Sequence, residues 1–147
     1  MIKITSVETI ALRDNADGNV ISWNPSYGDY TDNTPASTGG YDITIVRVNT
    51  DKGISGIGQC EAPSLVIESI IKSSLGLENL IINEDPRQVN RLWQKMYNST
   101  GVFGRRGVVI AAIGAIETAL WDITGKFYDK PLYELLWKSF TTSASSF

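Results

Sequence analysis

The residues of this chain that could do chemistry are few, and their types exclude several kinds of active site. The sequence has no histidine, which excludes Ser-His-Asp and Cys-His nucleophile systems, histidine zinc sites and histidine general bases. A single cysteine, Cys60, excludes an internal disulfide, and we interpret it as a small, partly buried residue. Gly53, Gly56 and Gly58 do not complete a dinucleotide-binding fingerprint, because the position three residues after Gly58 is Glu61.

Two carboxylates, Glu117 and Asp122, stand in an otherwise apolar stretch that is predicted to be a buried helix. Buried carboxylates can serve acid–base catalysis or bind a metal ion. Five residues apart on a helix, these two point in directions that differ by about 140°, so they cannot easily share one ion. The favoured interpretation is structural, with each carboxylate pairing with an arginine or lysine or capping a backbone group.

Arg105 and Arg106 precede that helix, at the end where the helix dipole disfavours cations. Two interpretations follow. The arginines could form an ion pair with a carboxylate of a substrate or of a partner surface. Alternatively, they lie in the preceding loop, either solvated or paired with an acidic residue of this domain, and this second interpretation is favoured.

A connection of 27 residues, 14–40, separates the first two predicted strands and contains several aromatic residues. Connections longer than about 12–15 residues are usually lids, binding loops or disordered segments. Trp23, Asn24, Tyr27 and Tyr30 are the candidate binding residues within it. Their aromatic rings could instead pack onto their own domain, and the residues alone leave the two alternatives open.

Three strands are predicted in the first 60 residues, at 2–12, 41–49 and 54–60. In the second, Ile43 and Ile45 lie on one side and Val46 and Val48 on the other. The sequence at 50–53 predicts a turn that makes the second and third strands a hairpin. Consecutive strands this close predict an antiparallel meander.

The hydrophobic period then changes to that of helices, which are predicted at 62–75, 86–98 and 108–123. The first places four apolar side chains on one face: Ile67, Ile70, Ile71 and Leu75. The second is expected to begin with Asp85 as N-cap and Pro86 at the first helical position. Pro131 is expected to start a further short helix. Strands followed by helices predict an α+β domain, a three-stranded antiparallel meander followed by a bundle of three to four helices.

The third predicted helix is apolar almost all round, which is typical of a helix in the middle of a packed domain. Sixteen residues with two carboxylates are too short and too charged for a membrane span. A stripe of small residues on this helix is expected to let a neighbouring helix approach closely: Ala111, Gly114, Ala115, Thr118 and Asp122. Gly125 is expected to cap its C-terminus in a left-handed conformation.

Composition and charge narrow the function classes. The 147 residues are 42% apolar and 20% charged, as expected for one globular domain, and carry a net charge of −3. An acidic chain of this kind argues against nucleic acid or an anionic membrane as partner. The first residues lack the basic start and apolar run of a signal peptide, so a cytoplasmic protein is expected.

Three motifs carry a resemblance to a known family: RRG at 105–107, AIGAIETALWDITGK at 112–126 and KPLYELL at 130–136. They resemble the N-terminal domain of the mandelate racemase/muconate lactonizing enzyme branch of the enolase superfamily. The arginine-glycine sequence resembles most the members that dehydrate acid sugars. The resemblance extends from the first strand to about Leu136, and Glu117 departs from it where Asp is expected.

The resemblance implies a capping domain at 1–138 and a linker at 139–147. In the family, the loop between the first two strands and the turn near 56–61 close over the active site of a (β/α)₈ barrel and select the substrate. Trp23, Asn24, Tyr27, Tyr30, Gln59 and Glu61 are therefore the expected substrate-binding residues. The Mg²⁺ ligands and the acid/base residues of that family lie on the barrel, and a barrel of about 250 residues cannot fit in this chain.

Two functions are therefore expected as alternatives. The chain is the substrate-specificity lid of a Mg²⁺-dependent acid-sugar dehydratase or racemase, or it is a free-standing non-catalytic domain that binds a barrel chain or another protein. In either case the chain alone is expected to be inactive, to bind no metal and to have no catalytic residue. An exposed apolar patch and self-association, for example as a homo-oligomer, are also expected.

Overall fold

The structure, a computed structural model, describes residues 1–13 and 42–141. The elements within these ranges are three strands followed by five helices: β1 Ile4–Arg13, β2 Asp42–Thr50, β3 Ser55–Cys60, α1 Ser64–Lys72, α2 Leu77–Ile81, α3 Val89–Ser99, α4 Val108–Tyr128 and α5 Leu132–Thr141. The predicted α+β order is confirmed. The short helix α2 is the element that the sequence analysis missed.

The three strands form one antiparallel sheet in the order β1-β2-β3. Because successive side chains of a strand point to opposite sides, the two faces of the sheet differ. Val46 and Val48 are fully buried against the helices, while Ile43 and Ile45 are only half-buried on the other face. The turn after β2 places Gly53 at φ 72°, a conformation that glycine adopts without strain. The predicted meander and its hairpin are confirmed.

Helix α4 is the centre of the domain, with nine of its 21 side chains buried. It packs on the sheet and on α1, α3 and α5. The helix runs five residues beyond the predicted end at 123, and its full length and composition would suffice to cross a membrane. The length argument against a span was therefore wrong, and it is the packing of α4 inside this domain that defines it as a core helix.

The C-terminus of α4 lies at Asp129 rather than at Gly125. Asp129 adopts the left-handed conformation, with φ 49°. The Lys130 N–H donates to the Gly125 carbonyl at 3.0 Å, and the Asp129 N–H donates to the Lys126 carbonyl at 3.3 Å, the hydrogen-bond pair of a Schellman motif. Aspartate tolerates this conformation because its short polar side chain can hydrogen-bond locally. The prediction that Gly125 caps the helix was therefore wrong.

The small residues of α4 face a strand, not a helix as predicted. Gly56 and Gly58 of β3 lie directly on the α4 backbone. A Cβ atom at Gly58 would come within 1.9 Å of the Ala115 carbonyl oxygen, and one at Gly56 would come equally close to that of Ala119. Ala115, Thr118 and Asp122 of the small stripe therefore lie in close contact with β3, whereas a Cβ at Gly114 would meet no atom within 4 Å.

Two helices differ from the prediction at their ends. Helix α1 stops at Lys72, so Ile67 and Ile71 are buried while Leu75 lies beyond the helix and is 80% exposed. Helix α3 begins at Val89, and Asp85 does not cap it. The Asp85 carboxylate instead accepts the backbone N–H of Arg87 at 3.0 Å, which stabilises the turn before the helix.

Asp85 and Arg87 also form an ion pair that joins this turn to the end of α4. The Arg87 Nη2 atom lies 2.6 Å from Asp85 Oδ2, and the guanidinium stacks 4.6 Å above the centre of the Phe127 ring. The side-chain hydrogen bonds from Arg87, more than any other cause, hold the pKa of the Asp85 carboxyl below its ordinary value of 3.8. The carboxylate therefore stabilises the folded state when it is charged.

This pair predicts an acid-sensitive contribution to stability. Because the folded pKa of Asp85 is lowered, its contribution is complete above the ordinary value of 3.8 and is lost as the pH falls through the folded pKa. Asp85→Asn is expected to lower the free energy of unfolding at pH 7 by about 1.5 kcal/mol. In this variant, the free energy of unfolding is also expected to fall less between pH 7 and pH 3 than in the original chain. Urea unfolding at pH 7 and pH 3 measures both, with exposed Glu68→Gln as the control. An unchanged pH dependence in Asp85→Asn would contradict the assignment.

Candidate functional site

The strand residues that flank the predicted binding segments lie at one end of the sheet. Arg13, the last residue of β1, pairs with Asp42, the first residue of β2, so the connection between them leaves and re-enters the sheet at this end. Thr44 pairs with Cys60, so β3 also ends here. The candidate site therefore comprises this end of the sheet and the residues that leave β3.

Gln59 and Glu61 are exposed at this end, while Cys60 between them is buried. Gln59 thus offers an amide and Glu61 a carboxylate to anything that approaches the end of the sheet. Burial raises the pKa of the Cys60 thiol, so the cysteine stays protonated, in agreement with its predicted structural role. Trp23, Asn24, Tyr27 and Tyr30 lie outside the described residues and remain predictions.

Hydrogen bonds from α4 hold the outer edge of β3 in place. The Ile57 N–H donates to Asp122 Oδ2 at 3.0 Å, and Lys126 Nζ donates both to that oxygen, at 2.7 Å, and to the Ser55 carbonyl, at 2.8 Å. Asp122 therefore pairs with a lysine and caps a backbone N–H, as predicted. The sequence analysis did not identify Lys126, although its position four residues after Asp122 on a helix could have indicated the pair.

Inside the sheet, Thr44 holds the segment that follows β3. Its hydroxyl donates to the Ala62 carbonyl at 2.9 Å, and the side chain is fully buried. The sequence analysis missed this residue too. The available signal was a threonine in an inward-facing row that otherwise carries Val46 and Val48.

The other predicted candidates do not join this site. Glu117 is half-buried on α4, and within residues 1–13 and 42–141 it has no ion pair, so the predicted cationic partner is not found there. Arg105 and Arg106 are exposed in the loop before α4, as the favoured interpretation has it. Over the part of the chain that the structure describes, no three acidic or cysteine side chains come together as a metal-binding cluster. No magnesium ligand is therefore assigned to these residues.

A second exposed surface surrounds the junction of α4 and α5, and five large apolar side chains lie on it: Phe127, Tyr128, Leu132, Tyr133 and Leu136. Beside them is an open cleft of about 370 Å³, lined by Trp121, Pro131 and the charged side chains of Asp122, Lys126, Asp129 and Lys130. We call these residues the α4–α5 surface. Its exposed apolar side chains correspond to the apolar patch expected from the sequence, and self-association stays a prediction.

The fold and this site define a class of protein, an α+β capping domain with a three-stranded antiparallel sheet, a central helix and an exposed sheet end. Residues 34–137 match the family described as mandelate racemase / muconate lactonizing enzyme, N-terminal domain. The chain belongs to this family, and the predicted resemblance is confirmed.

Three known proteins show how far the similarity extends. The arabinonate dehydratase of Saccharolobus solfataricus is 40% identical over 101 residues, which are 65% of this chain and 26% of that protein. The D-galactonate dehydratase of Ralstonia nicotianae is 37% identical over 95 residues, 63% of this chain and 24% of that protein. The crystal structure of the 3,6-anhydro-D-galactonate cycloisomerase from Zobellia galactanivorans superposes with a TM-score of 0.71, at 29% identity over 91% of this chain and 31% of that one.

The chain thus spans about a quarter of the length of the curated relatives it matches. The names of these three relatives state that they act on arabinonate, D-galactonate and 3,6-anhydro-D-galactonate. What this chain shares with them is the N-terminal domain.

Proposed function

We propose that this chain is the substrate-specificity lid of a Mg²⁺-dependent enolase-superfamily enzyme that abstracts a proton α to the carboxylate of a sugar acid. The observation that carries the proposal is the match of residues 34–137 to the N-terminal domain of a family whose matched members include acid-sugar dehydratases. The end of the sheet that carries Arg13, Asp42 and the exposed residues Gln59 and Glu61 supports it.

The side chains at that end suit a sugar acid. A sugar acid presents several hydroxyl groups, to which the Gln59 amide can donate and from which the Glu61 carboxylate can accept. Aromatic residues such as Trp23, Tyr27 and Tyr30 would cover the sugar and exclude water while the reaction proceeds. In this division of labour, the lid binds and encloses the substrate, and the chemistry belongs to the barrel.

Mg²⁺ would supply stabilisation of the enediolate in the complete enzyme. Within the described ranges the chain has no cluster of three acidic side chains to hold it, so we assign no step through the metal to this chain. The chain alone is proposed to be inactive.

The α4–α5 surface is proposed to contact the barrel. Its apolar side chains are exposed, Tyr133 by 68% and Tyr128 by 50%, and exposed apolar surface around a cleft is typical of an interface. The matched relatives are about four times as long as the matched region, which leaves ample chain to cover it. We further propose that the complete enzyme is a cytoplasmic homo-oligomer.

The decisive experiment mixes this chain with the separately expressed barrel of the Saccharolobus relative, in the presence of Mg²⁺ and a panel of sugar acids. We expect no turnover by either chain alone and turnover after mixing. Tyr133→Glu is expected to weaken the association at least tenfold, because it places a charge in the interface. Leu75→Glu, at a site 80% exposed and outside this surface, is the matched control. Turnover by the 147-residue chain alone would refute its role as a lid without catalytic groups.

Within that mixture, Glu61→Gln is expected to raise the KM for the preferred sugar acid about tenfold. The physical reason is the loss of the carboxylate charge, because the glutamine oxygen still accepts a hydrogen bond but a bond to a neutral group is weaker by about 1 kcal/mol or more. Steady-state kinetics measure the effect, and Glu68→Gln on the exposed side of α1 should leave both kinetic constants unchanged. An unaltered KM in Glu61→Gln would remove Glu61 from the binding site.

A further inference from the structure

Two buried threonines stand at the ends of the inward-facing row of β2. This row consists of Thr44, Val46, Val48 and Thr50, and Thr44 and Thr50 are 0% and 8% exposed. Each threonine donates its hydroxyl hydrogen to a backbone carbonyl just outside β3. Thr50 Oγ1 lies 2.6 Å from the Ile54 oxygen, before the strand, and Thr44 Oγ1 lies 2.9 Å from the Ala62 oxygen, after it.

The two hydrogen bonds are chemically alike but hold different segments. Thr50 closes the tight turn of the hairpin, where the Gly53 N–H also donates to the Thr50 carbonyl. Thr44 acts where the ladder between β2 and β3 has ended, because Cys60 is the last paired residue of β3. Within the described residues, the Thr44 hydroxyl is what ties the Glu61–Ala62 backbone to the sheet. The six residues of β3 separate the two bonds by about 20 Å.

A buried hydroxyl is costly unless it is bonded, and valine would fill nearly the same volume at position 44. A threonine here therefore implies a need for the bond itself. The atom it holds, the Ala62 carbonyl oxygen, belongs to the residue after Glu61, while the exposed Gln59 lies just before the paired Cys60. The position of Ala62 thus limits how far the Glu61 carboxylate can move.

We infer that Thr44 is a positioning residue that fixes Glu61 relative to the bound substrate, whereas Gln59 is held by its own pairing with Ile45. The inference rests on the proposed function, in which the Glu61 side chain binds a sugar acid. Thr50 makes the same bond at the other end of β3 and has no such role. The pair therefore supplies a comparison in which the chemistry is constant and only the place differs.

Amide hydrogen exchange on the 147-residue chain tests the hold directly, whether or not the proposed function is right. Thr44→Val is expected to accelerate exchange at the Val66 and Ile67 amides about five- to tenfold. Both amides donate to the carbonyl of Pro63, which follows Ala62, and the loss of the Thr44 hydrogen bond frees this local segment. Thr44→Ser, which keeps the hydroxyl, should remain within twofold of the original chain. Thr50→Val should lower the thermal midpoint comparably but leave these two amides unchanged. Equal exchange in Thr44→Val and Thr50→Val would overturn the inference.

Kinetics in the mixture with the barrel test the consequence for binding. We expect Thr44→Val to raise the KM for the sugar acid about tenfold with a smaller change in kcat, Thr44→Ser to restore the KM, and Thr50→Val to leave it unchanged. Turnover by the original pair with an unchanged KM in Thr44→Val would overturn the positioning role alone. A silent original mixture would count against the proposed function, and exchange at the Val66 and Ile67 amides would still decide whether Thr44 holds the segment.

Discussion

Replacing Gly58 with alanine is expected to destabilise the domain by about 3 kcal/mol or more. The added Cβ would lie 1.9 Å from the Ala115 carbonyl oxygen and 3.1 Å from the Thr118 Cβ, so β3 and α4 would have to separate. Neither can move freely. Gly58 pairs with Val46 of the central strand, and the Ala115 oxygen belongs to the backbone of the central helix. Overpacking in a close-packed interior typically costs about 1–3 kcal/mol, and a clash with backbone belongs at the upper end.

Urea unfolding of the purified chain measures this loss, and Gly114→Ala provides the matched control. Gly114 lies in the middle of α4, and a Cβ there would meet no atom within 4 Å. Alanine at this position is therefore expected to stabilise the protein by about 0.5–1 kcal/mol, the usual difference between alanine and glycine in a helix. If Gly58→Ala were as stable as the original chain, the close approach of β3 to α4 would be wrong.

Leu120→Ala is expected to lower the free energy of unfolding by about 2–5 kcal/mol, the range for a large-to-small change in a core. Leu120 is fully buried on α4 and belongs to the cluster in which the sheet and the helices meet. The substitution removes the packing of its side chain and leaves a cavity that the surrounding elements cannot fill, because α4 is held on several sides.

Leu75→Ala is the control for this substitution, since it makes the same chemical change at a side chain that is 80% exposed. Its effect is expected to stay within about 0.5 kcal/mol. Thermal and urea unfolding of both variants give the comparison. The control is informative because the sequence pattern predicts Leu75 to be buried on α1, and a loss comparable to that of Leu120→Ala would favour the pattern over the structure.

The order of elements could be predicted from the sequence because it depends on local periodicity. Alternating residues in 41–49 and the turn at 50–53 predict a hairpin without reference to any distant contact. The apolar stretch from Val108 likewise predicts a central helix. The errors lie at helix ends. Leu75 was included in a helix that stops at Lys72, and α2 was missed because five residues are too few to show a period.

The capping errors have a related cause. Gly125 is the obvious residue for a left-handed cap, but the helix continues to Tyr128 and the cap falls on Asp129. Asp85 before Pro86 has the pattern of an N-cap, yet its carboxylate bonds within the turn to Arg87. Both choices depend on contacts made elsewhere, including the stacking of Arg87 on Phe127, 40 residues away along the chain.

For the candidate site, the family resemblance indicated which side chains are expected to bind substrate but not what positions them. Gln59 and Glu61 were identified through the family motif, and the structure places both, exposed, at one end of the sheet. Thr44 and Lys126 were missed because their roles arise only when β2 and α4 lie against β3. Lys126 ends the family motif 112–126, but the motif does not show which backbone carbonyl its side chain will contact, and Thr44 lies in no motif.

The sequence by itself determined the class of domain, its family and the absence of histidine chemistry, because these follow from composition, local period and motif. The tertiary structure decided that small residues of α4 accept a strand rather than a helix. It also decided that two buried threonines bond the segments at the two ends of β3, and that Asp122 bonds its outer edge. The physical reason is distance. These hydrogen bonds, and the close approach that leaves no room for a Cβ atom at Gly56 or Gly58, depend on atoms brought together from separate elements. No local sequence pattern indicates which elements will meet.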